Sequence, residues 1–211
     1  MTKKFDQKEF LLYCKKMIAI IDYKAGNIAS VQNALKQLGF SFVLTDDIDT
    51  INRCSHIILP GQGRAGTAME NLKTKNLIEL IKKTTKPFLG ICLGMQILAD
   101  WSQEDNTECL GIIPGQVKLF DTKSLKVPHM GWNSVHFEKD SVLFVDILQD
   151  SYFYFVHSFY FEAATEYTLA SCNYGQKFAA VVGKGNFFAT QFHPEKSGEA
   201  GMKMLQNFCR I

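Results

Sequence analysis

The sequence predicts an α/β fold, built on an open, mostly parallel sheet with flanking helices and additional antiparallel strands in the C-terminal half. Residues 17–21 form a continuous apolar run, as expected for a strand that helices cover on both faces. Segments with helical spacing of apolar residues follow this and later apolar runs. After Gly111 apolar residues recur with period two, which is typical of antiparallel strands.

Strands and helices are expected to alternate in the N-terminal half. Ile28, Val31 and Leu35 recur at helical spacing, and Gly39 is a typical C-terminal stop for that helix. Strands are predicted over residues 17–21, 42–44, 56–59 and 87–91, and helices over residues 27–38, 67–83 and 94–101.

Shorter strands and a closing helix are expected in the C-terminal half. Met202, Leu205 and Cys209 line one face of that helix. No linker rich in Pro, Gly or Ser interrupts the chain, so residues 17–211 are predicted as a single domain that follows an extension over residues 1–16. The strands are predicted over residues 117–119, 135–137, 152–160, 167–172, 178–182 and 187–192.

Composition argues against several classes of function. A formal charge of +2 is too small for a typical nucleic-acid binder, and no apolar run approaches the length of a membrane span. Residues 1–16 lack the apolar core and cleavage site of a signal peptide. The six cysteines are dispersed without a CxxC pair, which argues against a zinc or disulfide framework and favours a reducing cytoplasm. Neither a metal nor an organic cofactor is predicted.

Residues 87–96 carry the strongest chemical signal. A predicted strand runs through the pattern Gly90-x-Cys92-x-Gly94 into a predicted helix. This is the sulfur counterpart of the G-x-S-x-G elbow, in which glycines leave room for a sharp turn that exposes the nucleophile. Ligands bind at the carboxyl edge of open α/β sheets, and a helix N-terminus favours a thiolate. We therefore interpret Cys92 as a nucleophile and the N–H of Leu93 as an oxyanion donor.

A thiolate nucleophile needs a base, and the base needs an orienting group. His193 and Glu195 follow a predicted strand in the segment T-Q-F-H-P-E. Two residues apart in an extended segment, their side chains are expected to leave the same face. The sequence therefore predicts that Glu195 holds the His193 imidazole, whereas His56 and His136 lie in predicted strands without such a partner.

Residues 90–96 together with residues 192–196 resemble the class I, triad-type glutamine amidotransferase family, and the resemblance covers residues 17–211. The family has an open α/β sheet that bears a Cys-His-Glu triad. The resemblance implies that Cys92 is the nucleophile, His193 the acid/base and Glu195 its orienting carboxylate. It also implies that Gly94 and Gln96 contact the substrate, L-glutamine.

Within that family, three further segments resemble the glutaminase subunits of imidazole glycerol phosphate synthases, which serve histidine biosynthesis. They are D-Y-K-A-G-N at residues 22–27, P-H-M-G-W-N at residues 128–133 and Y-F-V-H-S at residues 154–158. The resemblance implies a heterodimer with a cyclase (βα)8-barrel subunit, which receives the ammonia. Since bulk water would protonate ammonia, the site should lie at a covered interface.

The same resemblance assigns further residues. It implies substrate contacts from Gly63, His157 and Ser158. It places Asn27, Trp132 and Lys196 toward the cyclase subunit, where an exposed Trp suits an interface anchor. The alternative for residues 128–133 is a tight turn around one buried Trp.

Residues 60–66 depart from the family's oxyanion segment, which is commonly P-G-V-G followed by a small residue and Phe. Here Gln62 replaces the usual Val, and Arg64-Ala65-Gly66 is not the usual continuation. The resemblance implies that Gly61 and Gln62 supply the second oxyanion donor. Because a backbone donor survives a change of side chain, activity is expected to persist.

Three alternatives compete with this interpretation. A paralogous glutaminase could feed ammonia to another acceptor, such as an enzyme that makes acetamidino groups on surface sugars. A stand-alone DJ-1-like cysteine hydrolase or chaperone also uses an elbow cysteine, although that family does not normally carry a His-Pro-Glu segment. A binding subunit without activity would need no triad, whereas Cys92, His193 and Glu195 are all present.

Overall fold

The computed structural model describes residues 17–23 and 28–211. The predicted extension over residues 1–16 and the predicted interface residue Asn27 lie outside these described residues. The described chain folds around one eight-stranded sheet and two smaller sheets, with helices on both faces of the large sheet. The predicted fold class is confirmed.

The large sheet has eight strands: β1 (Ile18–Ile21), β2 (Phe42–Thr45), β3 (His56–Leu59), β4 (Phe88–Ile91), β9 (His136–Phe137), β12 (Thr168–Asn173), β13 (Lys177–Lys184) and β14 (Phe187–Thr190). Five parallel strands form one half of this sheet, in the order β2, β1, β3, β4 and β14. Three antiparallel strands, β13, β12 and β9, extend it beyond β14.

The helices pack on the two faces of this sheet because successive strand residues point to opposite faces. In β1, Ala19 and Ile21 join one buried cluster, whereas Ile18 and Ile20 join the other. The described helices are α1 (Ile28–Gln37), α2 (Ile48–Arg53), α3 (Ala65–Thr74), α4 (Leu77–Lys83), α5 (Leu93–Gln96) and α6 (Gly198–Phe208). The first cluster includes residues of α2, α3 and α4, and the second includes residues of α1 and α6.

Two smaller sheets lie beside the C-terminal half. A two-stranded antiparallel ribbon pairs β8 (His129–Ser134) with β10 (Tyr152–His157). A second sheet has the order β11, β7, β5 and β6. Its strands are β5 (Trp101–Ser102), β6 (Thr107–Glu108), β7 (Gly115–Leu119) and β11 (Phe159–Ala163).

Two predicted helices differ from those observed. The helix predicted over residues 67–83 is divided into α3 and α4, because Asn76 adopts a left-handed conformation with φ 56°. Asn tolerates this region better than most residues, so the apolar periodicity continues across a break. The helix predicted over residues 94–101 is confined to α5, and the chain enters β5 at Trp101.

Two predicted strands are also shorter than expected. The strand predicted over residues 152–160 is interrupted at Ser158, where the chain passes from the ribbon to the second small sheet. The strand predicted over residues 187–192 ends at Thr190. Both interruptions fall at the candidate site, where the chain leaves regular pairing to place side chains in a cavity.

Candidate active site

Cys92 lies on a sharp turn between β4 and α5. Its backbone has φ 55° and ψ −109°, a conformation that residues other than glycine rarely adopt. A Cβ atom on Gly94 would come within 2.0 Å of the Leu59 carbonyl oxygen, and one on Gly90 within 2.5 Å of the Gly94 carbonyl oxygen. The two glycines of the G-x-C-x-G pattern are therefore required by close backbone packing around the turn.

The elbow delivers the Cys92 sulfur to the carboxyl edge of the parallel strands. The Sγ atom lies 3.9 Å from the carbonyl oxygen of Val156 in β10. Gln191, which is completely buried, directs its Nε2 amide toward the same sulfur at 3.8 Å. Because α5 is only four residues long, the partial positive charge at its N-terminus is smaller than that of a long helix.

His193 and Glu195 form a buried pair in which Nδ1 of His193 lies 2.8 Å from Oε1 of Glu195. Only 3% and 2% of the two side chains are exposed. The segment that carries them was predicted to be extended, but this prediction is wrong. It forms a 3-10 turn over Pro194–Lys196. Proline is favoured at the first position of such a turn, since it has no N–H to leave unpaired. The predicted pairing of His193 with Glu195 is therefore present, but on a 3-10 turn instead of an extended segment.

Ser197 fixes the position of His193 through the backbone. Its hydroxyl donates to the His193 carbonyl oxygen at 2.6 Å and accepts from the Tyr154 N–H at 2.9 Å. The N–H of His193 in turn donates to the Tyr154 carbonyl oxygen at 3.0 Å. This buried serine was not identified from the sequence, because its role depends on contacts with β10.

The charge state of His193 is set by competing effects. Burial alone would lower its pKa, but the interactions with Cys92 and Glu195 outweigh burial and raise the pKa to about 10. The imidazolium is therefore the favoured form beside a sulfur that can carry negative charge. The Nε2 atom of His193 has no hydrogen-bond partner of standard geometry within the described chain, which leaves it available to a bound molecule.

Cys92 and His193 line one cavity of about 480 Å³. The cavity has the size of a site for a small metabolite. Most of the other site residues predicted from the sequence also line this cavity: Gln62, Gly63, Leu93, Gln96, His157, Ser158 and Lys196.

Four predicted site residues in the described chain lie outside the cavity wall. Gly61 and Gly94 pack against each other behind the elbow, since a Cβ on Gly61 would lie 2.6 Å from the Gly94 nitrogen. Glu195 lies behind His193, as expected for an orienting carboxylate. Trp132 is on the outer face of the ribbon, where 55% of its surface is exposed.

Gln96 is tied into the wall of the cavity. Its Nε2 atom donates to the carbonyl oxygen of Phe159 at 2.9 Å and to Oε1 of Gln191 at 3.0 Å. Both amide hydrogens are thereby used, so only its carbonyl oxygen is available to a ligand. Gln191 connects this network to the Cys92 sulfur. Sequence reasoning did not assign a role to Gln191. The feature that could have identified it is its position two residues before His193.

Glu104 is a cavity residue that sequence reasoning missed. It lies in a 3-10 turn over Glu104–Asn106, and its Oε2 atom accepts a hydrogen bond of 2.8 Å from the N–H of Ala65. Burial raises its pKa above the ordinary value, mainly through desolvation. A carboxylate in this wall can receive the ammonium group of an amino acid. No sequence motif marked Glu104, because fold topology alone brings it to the cavity.

The unusual residues after Gly63 have local partners in the same turn. Arg64 donates from Nε to both carboxylate oxygens of Asp105, at 3.1 and 3.0 Å. Ala65 is completely buried, and a Cβ on Gly66 would lie 3.2 Å from Asp105. The departure from the family pattern is thus matched by contacts to the turn that carries Glu104.

The β8–β10 ribbon has one buried face and one face exposed to solvent. His129, Phe153, Phe155 and His157 point inward and are buried. On the outer face, Met130 and Tyr152 are each 62% exposed, and Trp132 shares that face. Residues 129–133 therefore lie in a strand that exposes its Trp, and the alternative of a tight turn around a buried Trp is wrong.

His129 and His157 meet in an edge-to-face arrangement on the buried side of the ribbon, with ring centroids 5.0 Å apart. Nδ1 of His129 lies 3.0 Å from Nε2 of His157, and Nδ1 of His157 donates to the Phe159 carbonyl oxygen at 2.7 Å. Desolvation lowers the pKa of His129 to about 4 and that of His157 to about 3. Both rings are therefore neutral at physiological pH, so His157 presents an uncharged wall to the cavity.

Within residues 17–23 and 28–211, no three or more His, Cys, Asp or Glu side chains form a group that could hold a metal ion. Over the same residues, none of the helices has the length and apolar character needed to cross a bilayer.

The sequence model for "Glutamine amidotransferase class-I" matches residues 19–211. Solved structures share the fold: a structure described as a glutamine amidotransferase has a TM-score of 0.72 at 17% identity, covering 92% of this chain and 99% of that one. The structure of PurLQS from Thermotoga maritima has a TM-score of 0.69 at 20% identity, covering 93% and 98%. The chain belongs to the class I glutamine amidotransferase family.

Curated relatives are more similar in sequence. The protein described as imidazole glycerol phosphate synthase subunit HisH 2 of Legionella pneumophila (strain Paris) is 48% identical over 196 residues, covering 92% of this chain and 98% of the relative. Subunit HisH of Vibrio parahaemolyticus is 44% identical over 203 residues, covering 93% and 99%. Subunit HisH of Pasteurella multocida is 47% identical over 191 residues, covering 90% and 96%. The predicted resemblance is confirmed.

Proposed function

We propose that this chain is the glutaminase subunit of an imidazole glycerol phosphate synthase, and that Cys92, His193 and Glu195 carry the hydrolysis of glutamine. The identities of 44–48% to subunits of that name support the first part. The observation that carries the second is geometric: Cys92 and His193 line one cavity, with Glu195 2.8 Å behind the imidazole.

The first half of the reaction forms a thioester. The Cys92 thiolate attacks the side-chain amide carbon of glutamine, and the carbonyl electrons move onto oxygen. The His193 imidazolium then donates its Nε2 proton to the amide nitrogen, the C–N bond breaks, and ammonia leaves. The raised pKa of His193 suits this acid role, because the proton is present at neutral pH.

The second half hydrolyses the thioester. His193, now neutral, removes a proton from water, and the resulting hydroxide attacks the acyl carbon. The C–S bond breaks to give the Cys92 thiolate and the side-chain carboxylic acid, and the proton on His193 restores the starting ion pair. The acid loses its proton to solvent, so the sum of the two halves is glutamine plus water to glutamate, ammonia and one proton.

The oxyanion is stabilised by backbone donors on two sides of Cys92. Leu93 lies at the first position of α5, where an N–H has no partner within the helix. The Gly61–Gln62 segment approaches from the end of β3. In other enzymes one such donor contributes about 2.7–4 kcal/mol to the transition state.

The cavity wall also selects the substrate. Glu104 and the carbonyl oxygen of Gln96 can receive the α-ammonium group of glutamine. Ser158 offers a hydroxyl, and the neutral His157 packs against the aliphatic chain without competing for charge. The neutral side-chain amide of glutamine then lies at the opposite end of the cavity, next to Cys92.

The partner proposed is a cyclase (βα)8-barrel subunit in a heterodimer. Tyr154 and Val156 line the cavity from β10 and share the outer face of the ribbon with Trp132 and Met130. This exposed apolar face is continuous with the cavity mouth, so a subunit that covers it would also enclose the departing ammonia. Lys196 borders the same opening. We propose a cytoplasmic location, where a reactive thiol stays reduced.

The experiment that tests the triad is Cys92→Ala. In the complex with the cyclase subunit, glutamine-dependent turnover should fall to background while turnover with added ammonia salts persists. Cys109→Ala, which replaces a buried cysteine outside the cavity, is the matched control and should retain both activities. Hydrolysis of glutamine at the normal rate by Cys92→Ala would falsify the assignment of the nucleophile.

The acceptor of the ammonia is tested separately. Complementation of a histidine auxotroph that lacks this subunit should restore growth. Failure to complement, with glutaminase activity intact, would favour a paralogue that feeds another acceptor. The DJ-1-like alternative is set aside, because the chain matches the class I glutamine amidotransferase model over residues 19–211.

A further inference from the structure

The hydroxyl of Tyr23 makes a contact that the mechanism above does not use. Tyr23 is completely buried just beyond the end of β1, and its hydroxyl donates a hydrogen bond of 2.7 Å to the carbonyl oxygen of Pro60. β1 and β3 are neighbouring parallel strands, so the bond joins the segments that follow them at the carboxyl edge of the sheet. Pro60 begins the segment proposed to stabilise the oxyanion.

The bond fixes the orientation of a peptide next to the nucleophile. The Pro60 carbonyl and the Gly61 N–H belong to one planar unit, so an anchored oxygen also fixes the direction of the N–H. A Cβ on Gly61 would lie 2.7 Å from the Tyr23 hydroxyl and 2.6 Å from the Gly94 nitrogen. Tyr23, Gly61 and the elbow are therefore in direct contact.

The ionisation state of Tyr23 suits a permanent donor. Burial, reinforced by the charge of Cys92, raises the pKa of Tyr23 above its ordinary value. The hydroxyl therefore keeps its proton throughout the pH range in which the enzyme could act.

Gly63, at the other end of the segment, has the conformational freedom of glycine. Its φ is 110°, and a Cβ on it would meet no atom within 4 Å. Because the tyrosine bond fixes the Pro60–Gly61 peptide, backbone rotation in the segment falls on the peptides after Gly61.

We propose that Tyr23 is a positioning residue for the oxyanion segment, acting through the Pro60 carbonyl rather than by touching the substrate. Its hydroxyl holds the Pro60–Gly61 peptide in place, so that only the amides after Gly61 turn toward the tetrahedral intermediate on Cys92. The proposal rests on the proposed glutaminase function.

The test is Tyr23→Phe, which keeps the ring and removes the hydroxyl. In the complex with the cyclase subunit, kcat for glutamine should fall about tenfold, less than the 10²–10³ lost when a donor is removed outright. KM should stay within about twofold, because the ammonium and carboxylate groups of glutamine are bound elsewhere. Alkylation of Cys92 by iodoacetamide forms no oxyanion and should keep its wild-type rate.

Tyr174→Phe is the matched control. It removes a hydrogen bond of the same 2.7 Å length, from a tyrosine hydroxyl to the Lys126 carbonyl oxygen, at a position outside the cavity. Its kcat should equal that of the wild type. A kcat of Tyr23→Phe within twofold of wild type overturns the proposal, and so does an equal loss of kcat and alkylation rate.

A second variant keeps the proposal testable if Tyr23→Phe does not fold, as judged by circular dichroism. Gly61→Ala retains the hydroxyl but presses a methyl group against it and the Gly94 nitrogen. The same fall in kcat at unchanged KM is expected, and an unchanged kcat overturns the proposal. Absence of glutaminase activity in the wild-type complex would instead refute the proposed function.

Discussion

At the scale of single residues, the candidate site concentrates conformations and charges that a stable core would avoid. Cys92 has φ 55°, which costs a non-glycine residue roughly 1–3 kcal/mol in other proteins. Only 3% of the His193 side chain and 2% of the Glu195 side chain are exposed to solvent. Such groups persist where their neighbours fix them, and here glycines and Ser197 do so.

Glu195→Gln should change the pH dependence of the reaction. His193 must be protonated to release ammonia, so activity is lost as pH rises through its pKa of about 10. Removing the Glu195 charge removes one of the two partners that raise this pKa, so the alkaline limit of kcat/KM should move to lower pH. We also expect kcat at neutral pH to fall by about 10²-fold, a typical size for acid–base catalysis.

The control for this prediction is Asp150→Asn. Asp150 pairs with His136 at 3.0 Å, but both side chains are more than half exposed. This carboxylate also pairs with a histidine, but neither residue lines the cavity, so the pH profile should not change. An alkaline limit that stays in place in Glu195→Gln would refute the assigned role.

Glu104→Gln should raise KM for glutamine by about tenfold with little change in kcat. The amide oxygen can still accept the Ala65 N–H, but it no longer pairs with an ammonium group. Glu108→Gln, at an exposed position close by in sequence, is the control. Steady-state kinetics in the complex decide the question, and an unchanged KM in Glu104→Gln would remove Glu104 from the substrate site.

At the scale of elements, the site is assembled where regular structure stops. β3 and β4 end side by side, and the turns that follow them pack closely against each other and against β4 through Gly61, Gly90 and Gly94. The break at Ser158 between β10 and β11 opens the opposite wall. Close backbone packing on one side and interrupted pairing on the other leave room for a small molecule between them.

Gly94→Ala should lower the free energy of unfolding by about 3 kcal/mol, the upper part of the range for overpacked sites. The added Cβ would meet the Leu59 carbonyl oxygen at 2.0 Å, and a backbone atom cannot move aside cheaply. Urea denaturation measures the change. The control is Gly66→Ala in α3, where the nearest atoms lie 3.2 Å away and the change should stay below about 1 kcal/mol.

At the scale of the whole molecule, the cavity opens beside an apolar surface that the chain itself leaves uncovered. Met130, Trp132 and Tyr152 are each more than half exposed on one face of the ribbon. The buried residues of the same two strands show that this exposure follows from strand alternation rather than from poor packing. A partner that covers the ribbon would complete the enclosure of the site.

Trp132→Ala should therefore weaken association with the cyclase subunit by about 30-fold in Kd, equivalent to about 2 kcal/mol for an interface anchor. Leu148→Ala is the control, since Leu148 is 83% exposed but lies outside the ribbon. Titration of the two subunits by calorimetry measures both constants. Equal affinities for Trp132→Ala and the wild type would place the interface elsewhere.

The sequence by itself determined the fold class, the elbow around Cys92 and the pairing of His193 with Glu195. These features are encoded locally, in apolar periodicity, glycine spacing and two residues of one short segment. The breaks at Asn76 and Ser158 escaped prediction, because periodicity does not report a change of backbone direction.

Only the tertiary structure decided which distant residues complete the site. Glu104, Gln191 and Tyr23 reach the cavity or its backbone through strand order and turn geometry, and the motifs that contain Gln191 and Tyr23 do not record these contacts. The physical reason is that a local segment fixes the direction of its own side chains, whereas the neighbours of those side chains depend on the packing of the entire sheet.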